Sequence, residues 1–311
     1  PLYGNYSADH KWISDPALVL AREAEKAQAW PGEAHERLPA ERPIHDSSHN
    51  PLFADVLHHA GPSILKPGID PHWWDDVTSP LNPITHETIA ATLRACSKGK
   101  AAGASRLRLS PFARSGEHCL PLLAAIYEAV RTTTVCPTSW NHRLLIYVQK
   151  SDDFAAVLAG AVRPISLLET EQRLFFRITQ NRIMHIIASH PNAILDELQG
   201  CLPGGGCMPP IHRLLNAIFL SIHHNTELYV LYTDLRRAFD TVETWVIIRS
   251  LERIGMPPHL VLLLTMMFRT PTATLLTSLG RTSPFPIPRG TAQGGSESLF
   301  LFVVVMDMLS S

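Results

Sequence analysis

The chain has 311 residues, of which 27 are Lys or Arg and 28 are Asp or Glu, and 45% are hydrophobic, with a formal net charge of -1. This composition indicates a globular protein that is long enough for a sizeable core or two subdomains, and it excludes a disordered tail. The near-neutral balance lacks the basic footprint of most nucleic-acid-binding proteins, so any such surface must be a local groove.

Cysteine usage and the apolar stretches bear on the compartment. Five cysteines without a C-x-x-C pair argue against a disulfide framework and indicate a reducing environment. The longest apolar stretches, Val261–Phe268 and Leu299–Met306, are far shorter than a bilayer requires, and no cleavable signal opens the chain. We therefore predict a soluble, intracellular protein with no membrane partner.

Residues 1–84 are interrupted repeatedly by proline, which forbids long regular elements. We predict an irregular, proline-rich N-terminal linker region with short helices. Within it, Trp73-Trp74-Asp75-Asp76 offers paired carboxylates to a metal ion, but a helix start or a hydrophobic anchor is the favoured interpretation.

The folded region is predicted to begin at Thr85, which can cap a helix that runs through Ala95. The sequence KGKAAGAS at 98–105 then places Lys100 in a basic loop, which is either a flexible turn between helices or a binding contact. A second helix is predicted over Leu120–Arg131, and the apolar run from Arg143 to Lys150 predicts a strand.

The middle of the chain carries several arginines. Arg163 precedes Pro164 and either stabilises a turn or binds an anion. Residues 170–190 have the pattern of a long amphipathic helix, and its arginines face either phosphates or water.

An apolar run rich in β-branched and aromatic residues, Leu228–Thr233, predicts a buried strand that ends on Asp234. A carboxylate at a strand end can present an oxygen ligand to Mg²⁺, although Asp after a strand also serves as a turn former or helix cap. A helical pattern starts near Thr241. Farther on, RGTAQG at 289–294 forms a loop with two glycines, and an apolar helix is predicted over Leu299–Leu309.

Three of these segments, RPISLL at 163–168, DLRRAFDTV at 234–242 and RGTAQG at 289–294, resemble in the same order the reverse transcriptase domain of non-LTR retrotransposons. In that family the fingers carry R-P-I-x-L-L, motif A reads D-x-x-K-A-F-D-x-V, and motif B reads R-G-x-x-Q-G-x-x-x-S-P-x-L-F. The resemblance implies an α+β fold with right-hand polymerase fingers at 85–225 and a partial palm at 226–311, built as helices packed on an antiparallel sheet.

The resemblance also implies roles for single residues. Asp234 matches the catalytic, Mg²⁺-binding aspartate of motif A, and the carbonyl of Leu235 matches its second metal ligand. Phe239 falls where the family places an aromatic ring under the nucleotide sugar. The remaining assignments are two groups: nucleotide-binding Lys150, Arg163, Gln293 and Gly294, and nucleic-acid-binding Lys100, Arg173, Arg177, Arg182 and Arg289.

The family's Y-x-D-D hairpin, which carries the remaining metal carboxylates beyond motif B, does not occur after Asp234. We therefore expect the 311-residue chain to be inactive by itself. The implied partners are an RNA template, a DNA primer and dNTPs, in a nuclear or cytoplasmic ribonucleoprotein. Two alternatives remain: a non-catalytic nucleic-acid-binding relic or domesticated module, for which the basic residues matter and Asp234 does not, and a group II intron-type maturase.

Overall fold

The computed structural model describes residues 5–6, 12–13, 21, 24, 65–79, 82–96, 99, 101–114, 116–149, 162–190, 193–194, 198, 206, 208–232, 235 and 238–310. In these ranges the α-helices are α1 (Asp75–Thr78), α2 (His86–Ala95), α3 (Leu109–Arg114), α4 (Gly116–Thr133), α5 (Thr170–Ser189), α6 (Met208–His224), α7 (Ala238–Thr241), α8 (Thr244–Arg253), α9 (Pro258–Thr265) and α10 (Ser298–Ser310). Single 3-10 turns cover Pro71–Trp74, Thr138–Asn141 and Met266–Phe268. The strands are β1 (Asn5–Tyr6), β2 (Trp12–Ile13), β3 (His142–Gln149), β4 (Val162–Leu167), β5 (Thr272–Thr277), β6 (Gly280–Arg281) and β7 (Phe285–Pro286).

The main sheet has the strand order β4-β3-β5-β6, with β7 also paired to β5. Strands β3 and β4 are antiparallel, with Val148 opposite Arg163, whereas β3 and β5 are parallel, with His142 opposite Thr272. The α+β class is therefore confirmed, but the sheet is mixed rather than antiparallel. The long helical connection between β3 and β5 makes the parallel pairing possible, because parallel neighbours need a crossover.

The helices that were predicted from apolar residues at helical spacing are present in the structure. Helix α5 buries Leu174, Phe175 and Ile183 in the core. Helix α2 begins after Thr85, whose Oγ1 accepts a hydrogen bond from the Thr88 amide at 3.3 Å. Around α5 the rings of Tyr127 and Phe175 meet edge to face, with centroids 5.3 Å apart. Such pairs stabilise a core beyond the area that they bury.

The segment before Thr85 is part of this core where the structure describes it. Trp74 is fully buried and α1 starts at Asp75, which confirms the helix start and the anchor. The amide of Lys66 donates to the Arg253 carbonyl at 2.9 Å, and its ammonium contacts the Asp307 carboxylate at 2.7 Å. One hydrophobic cluster extends from Trp74 to Val305, so the predicted boundaries at 84/85 and 225/226 do not coincide with separate cores in the described residues.

The predicted strand at Leu228–Thr233 is wrong for the part that the structure describes. Residues 226–232 have no regular structure, and Tyr229 and Leu231 are 85% and 87% exposed. The preceding helix α6 likewise has no buried residue. A β-type sequence becomes a strand only when it has a partner to pair with and a surface to pack on, and this segment has neither among the described residues.

Candidate nucleotide site

The loop at 289–294 is fixed on α7 by main-chain hydrogen bonds. The Gly290 amide donates to the Val242 carbonyl at 2.9 Å, and the Thr291 amide donates to the Phe239 carbonyl at 2.7 Å. Gly290 has φ +89°, and a Cβ there would lie 2.7 Å from the backbone oxygen of Asp240. The close approach of loop and helix therefore requires glycine at this position.

Gln293 connects the same loop to both α7 and β4. Its side-chain nitrogen donates to Asp240 at 2.9 Å from each carboxylate oxygen, and its backbone carbonyl accepts from the Ser166 amide at 2.7 Å. Gly294, at φ +116°, would place a Cβ 2.8 Å from the Ser166 oxygen. The structure thus brings motif A, motif B and the predicted fingers strand to one point.

A small open cavity of about 190 Å³ lies at this point. Its lining residues are Phe239, Gln293, Gly294, Gly295, Ser298 and Leu299. The Phe239 ring is held from behind by Phe302, with centroids 4.8 Å apart and planes inclined by 35°. Small and apolar groups with exposed backbone allow a flat ligand to approach closely.

Two buried charges lie close to the loop. Arg143 on β3 is buried, and desolvation lowers its pKa to about 10. The attraction of Glu297 and Asp240 partly offsets this shift. Arg143 therefore stays cationic at neutral pH. Burial raises the pKa of Glu297, and the attraction of Arg143 partly offsets this shift. Arg143 Nη2 and Glu297 Oε1 have no hydrogen-bond partner among the described residues, which is costly for buried charged groups.

Sequence reasoning missed Arg143 and Glu297. One signal was available: Arg143 is the charged residue within the apolar run of β3, where an exposed arginine would be expected to alternate with core positions. Glu297 gave no signal, because it follows a polar loop whose local sequence does not reveal burial.

Several predicted site residues lie outside the described residues, namely Asp234, Lys150 and Lys100. Leu235 is described and is half exposed. Arg163 lies on β4 with its side chain exposed, so it is accessible to an anion. Its nucleotide-binding role stays a prediction.

The arginines predicted to bind nucleic acid differ in their surroundings. Arg182 donates to the carbonyls of Asn82 and Pro83 at 2.8 and 2.9 Å, and Arg289 is 7% exposed and contacts Glu243 at 3.2 Å. These contacts favour structural roles for both, because their donors are directed at protein groups. Arg177 is exposed.

Arg173 is half buried, and its Nη2 donates to Thr170 at 3.2 Å. Desolvation lowers the pKa of its guanidinium. Of the arginines predicted on α5, Arg177 is therefore the most accessible to a phosphate backbone.

The part of the loop that follows Lys100 docks at the start of α5. Gly103 approaches so closely that a Cβ would lie 2.8 Å from the backbone of Leu168 and Glu169, and Ser105 donates its amide to Glu169 at 3.0 Å. The next basic residues, Arg106 and Arg108, are exposed on this loop. Sequence analysis did not single them out, although both immediately follow the glycine-containing turn.

Among the described residues, no three metal-binding side chains of His, Cys, Asp or Glu come together, and no helix has the length and apolarity needed to cross a bilayer.

The antiparallel pair β3–β4 contacts the 289–294 loop through Ser166, beside a cavity lined by Phe239, which is the arrangement expected of polymerase fingers meeting a palm. Residues 148–311 match the family model described as reverse transcriptase (RNA-dependent DNA polymerase). The chain therefore belongs to the reverse transcriptase family.

Curated relatives agree with this family. Over 176 residues the chain is 30% identical to the "Retrovirus-related Pol polyprotein from type-1 retrotransposable element R2" of Popillia japonica, a match that covers 56% of this chain and 24% of that protein. Over 180 residues it is 22% identical to the "Probable RNA-directed DNA polymerase from transposon BS" of Drosophila melanogaster, covering 58% of this chain and 20% of that protein. The matches thus span about a quarter and a fifth of these relatives.

Proposed function

We propose that this chain is the polymerase domain of a non-LTR retrotransposon-type element and that it binds an RNA template, a DNA primer and a dNTP for RNA-directed DNA synthesis. The observation that carries the proposal is that Phe239 and Gly294 line one cavity, while Gly294 lies against Ser166 of β4. Family membership supports the reaction class, and the two named relatives support the type of element.

We propose a separate role for each residue, according to its position in the site. Phe239 would lie under the sugar, and the backbone of Gly294 would approach the nucleotide without a side chain between them. Exposed Arg163 would offer a permanently charged, forked set of donors to phosphate oxygens, and Lys150 would supply a second, point-like positive charge. Arg177, Arg106 and Arg108 are the exposed cations that we propose for the nucleic-acid backbone.

We propose Mg²⁺ as the cofactor, held by the carboxylate of Asp234 and the carbonyl of Leu235. Both groups are hard oxygen ligands of the kind that Mg²⁺ prefers, and Leu235 is solvent accessible. The bound ion would neutralise charge on the attacking 3′-oxygen and the leaving pyrophosphate. We also propose an intracellular ribonucleoprotein as the setting, because the substrate would be an RNA template.

The test is binding of a fluorescent RNA–DNA hybrid to the chain, measured by anisotropy over a salt series. We expect the affinity to fall as salt rises, because each neutralised phosphate releases counterions, and Arg177→Ala to reduce the slope by about one. Arg94→Ala, at another exposed arginine, is the matched control. Absence of binding at low salt would contradict the proposal.

The nucleotide is tested on the same complex. We expect the dNTP that pairs with the next template base, together with Mg²⁺, to make the bound hybrid resistant to displacement by a competitor strand. Asp234→Asn should remove this resistance without weakening binding of the hybrid. Asp76→Asn, an exposed carboxylate on α1, is the control. Resistance that survives in Asp234→Asn would exclude this residue from the metal site.

A further inference from the structure

Gln293 was predicted to contact the nucleotide, yet its donor atom is already engaged. The side-chain nitrogen lies 2.9 Å from both carboxylate oxygens of Asp240, which is 53 residues earlier in the chain. A hydrogen bond to an ionised acceptor is stronger than one between neutral groups. The amide nitrogen is thus held by the protein before any ligand arrives.

The backbone of Gln293 is fixed as well. Its carbonyl accepts from the Ser166 amide of β4, and the following Gly294 lies against the Ser166 oxygen. One residue therefore ties the loop to β4 through its backbone and to α7 through its side chain. Because Gly294 and Gly295 line the cavity, the position of its wall depends on both ties.

Asp240 also interacts electrostatically with a buried cation. The buried cation Arg143 interacts favourably with Asp240 and with Glu297, and it stays charged at neutral pH. Gly290 packs directly over the backbone of Asp240. The carboxylate that accepts from Gln293 is thus attracted by a buried cation on β3, and its backbone is packed against the loop.

We propose that Asp240 is a positioning residue, which holds Gln293 so that the backbone of Gly294 and Gly295 is preformed as the wall of the nucleotide site. Gln293 serves the loop and does not recognise the nucleotide through its amide nitrogen. This inference rests on the proposed function for the nucleotide, but the tie between Asp240 and Gln293 stands on the geometry alone.

The test reverses the polarity of the pair. Gln293→Glu places two carboxylates against each other, and Asp240→Asn removes the charged acceptor. In the double variant Asp240→Asn with Gln293→Glu, an amide again faces a carboxylate, with donor and acceptor exchanged. Glu252→Gln, which removes a carboxylate that contacts Arg249 at 3.0 Å on α8, is the matched control.

The first readout is the dNTP concentration that protects the RNA–DNA hybrid from a competitor strand. We expect Asp240→Asn and Gln293→Glu to raise this concentration about tenfold or more, the range of a lost hydrogen bond to a charged group. The double variant should return to within about threefold of the parent. Recovery in the double variant would assign the loss to this hydrogen bond and not to general damage by either substitution.

A direct contact between Gln293 and the nucleotide gives a different result. The introduced carboxylate would then repel the triphosphate, and the double variant would stay as weak as Gln293→Glu. That outcome, or parent-like protection by Asp240→Asn, overturns the inference.

The second readout is independent of nucleotide. Urea unfolding of the parent, the two single variants and the double variant gives the coupling between the two positions. Non-additive shifts of the midpoint support the tie, and additive shifts overturn it. If the parent hybrid gains no protection from dNTP, the proposed function fails, while this cycle still decides whether Asp240 holds Gln293.

Discussion

The indole nitrogen of Trp74 donates a hydrogen bond to the backbone oxygen of Ile254 at 2.9 Å, across 180 residues of chain, and both residues are fully buried. This contact joins the segment before α2 to the end of α8. It makes residues 65–78 a structural part of the core where sequence analysis predicted a linker.

Trp74→Phe should therefore destabilise the chain by about 2–4 kcal/mol, because it leaves a cavity and an unpaired buried carbonyl. Urea unfolding measures the change. Trp73→Phe is the control, because Trp73 is only half buried and stacks on His190 with centroids 4.0 Å apart. Equal losses in the two variants would contradict the anchoring role of Trp74.

Gly294→Ala should cost about 1–3 kcal/mol of stability and weaken nucleotide-dependent protection of the hybrid, because φ is +116° and the new Cβ would meet the Ser166 oxygen at 2.8 Å. Thermal unfolding and the competitor assay report the two effects. At Gly99 a Cβ meets nothing within 4 Å, so Gly99→Ala should be close to neutral. A parent-like Gly294→Ala protein would show that loop and β4 do not pack this closely.

Phe239→Ala should reduce the preference for dNTP over rNTP in the protection assay, because the ring that would exclude a 2′-hydroxyl is removed. The ring packs on Phe302, so some stability should be lost as well. Leu299→Ala, which shortens another side chain of the same cavity, is the matched control. Unchanged sugar preference in Phe239→Ala would assign the residue to packing alone.

Glu297 predicts a pH dependence of stability. Burial raises its pKa in the folded chain, so its favourable contribution is full below the ordinary carboxyl pKa and is lost as pH rises through the higher folded value. Glu297→Gln should thus gain stability relative to the parent as pH rises from about 5 to about 8. Urea unfolding at each pH measures the gain.

The control for this effect is Glu87→Gln, at an exposed carboxylate whose pKa is lowered by its hydrogen bond with Thr85. It should show no gain that grows with pH. A flat difference between Glu297→Gln and the parent would mean that Arg143 compensates for the buried charge across this range.

The sequence predicted those elements whose buried positions follow from the spacing of their own apolar residues. The core spacing of Leu174 and Ile178 was sufficient for α5, and the apolar run after Arg143 was sufficient for β3. Leu228–Tyr232 has an equally strong β pattern, but it is exposed and unpaired among the described residues. Strand propensity describes how a segment folds when a neighbouring strand is present to pair with it, and it does not show whether such a strand exists.

The candidate site was predictable only as separate pieces. The motifs located Phe239, Gln293 and Gly294, which the structure brings to one cavity. The tie between Gln293 and Asp240 joins positions far apart in the chain, and no spacing rule contains it. Burial of Arg143 and Glu297 likewise depends on tertiary packing that no local pattern contains.

The parallel pairing of His142 in β3 with Thr272 in β5 has a consequence for biosynthesis. The two residues are 130 positions apart, so at about 5–20 residues per second the ribosome needs roughly 7 to 26 s to deliver the second strand after the first. The local hairpin of β3 and β4 can close during that interval, but the opposite edge of β3 stays without a hydrogen-bonding neighbour. Nascent or truncated chains that end before Thr272 should therefore self-associate through this open edge and depend on chaperones until β5 emerges.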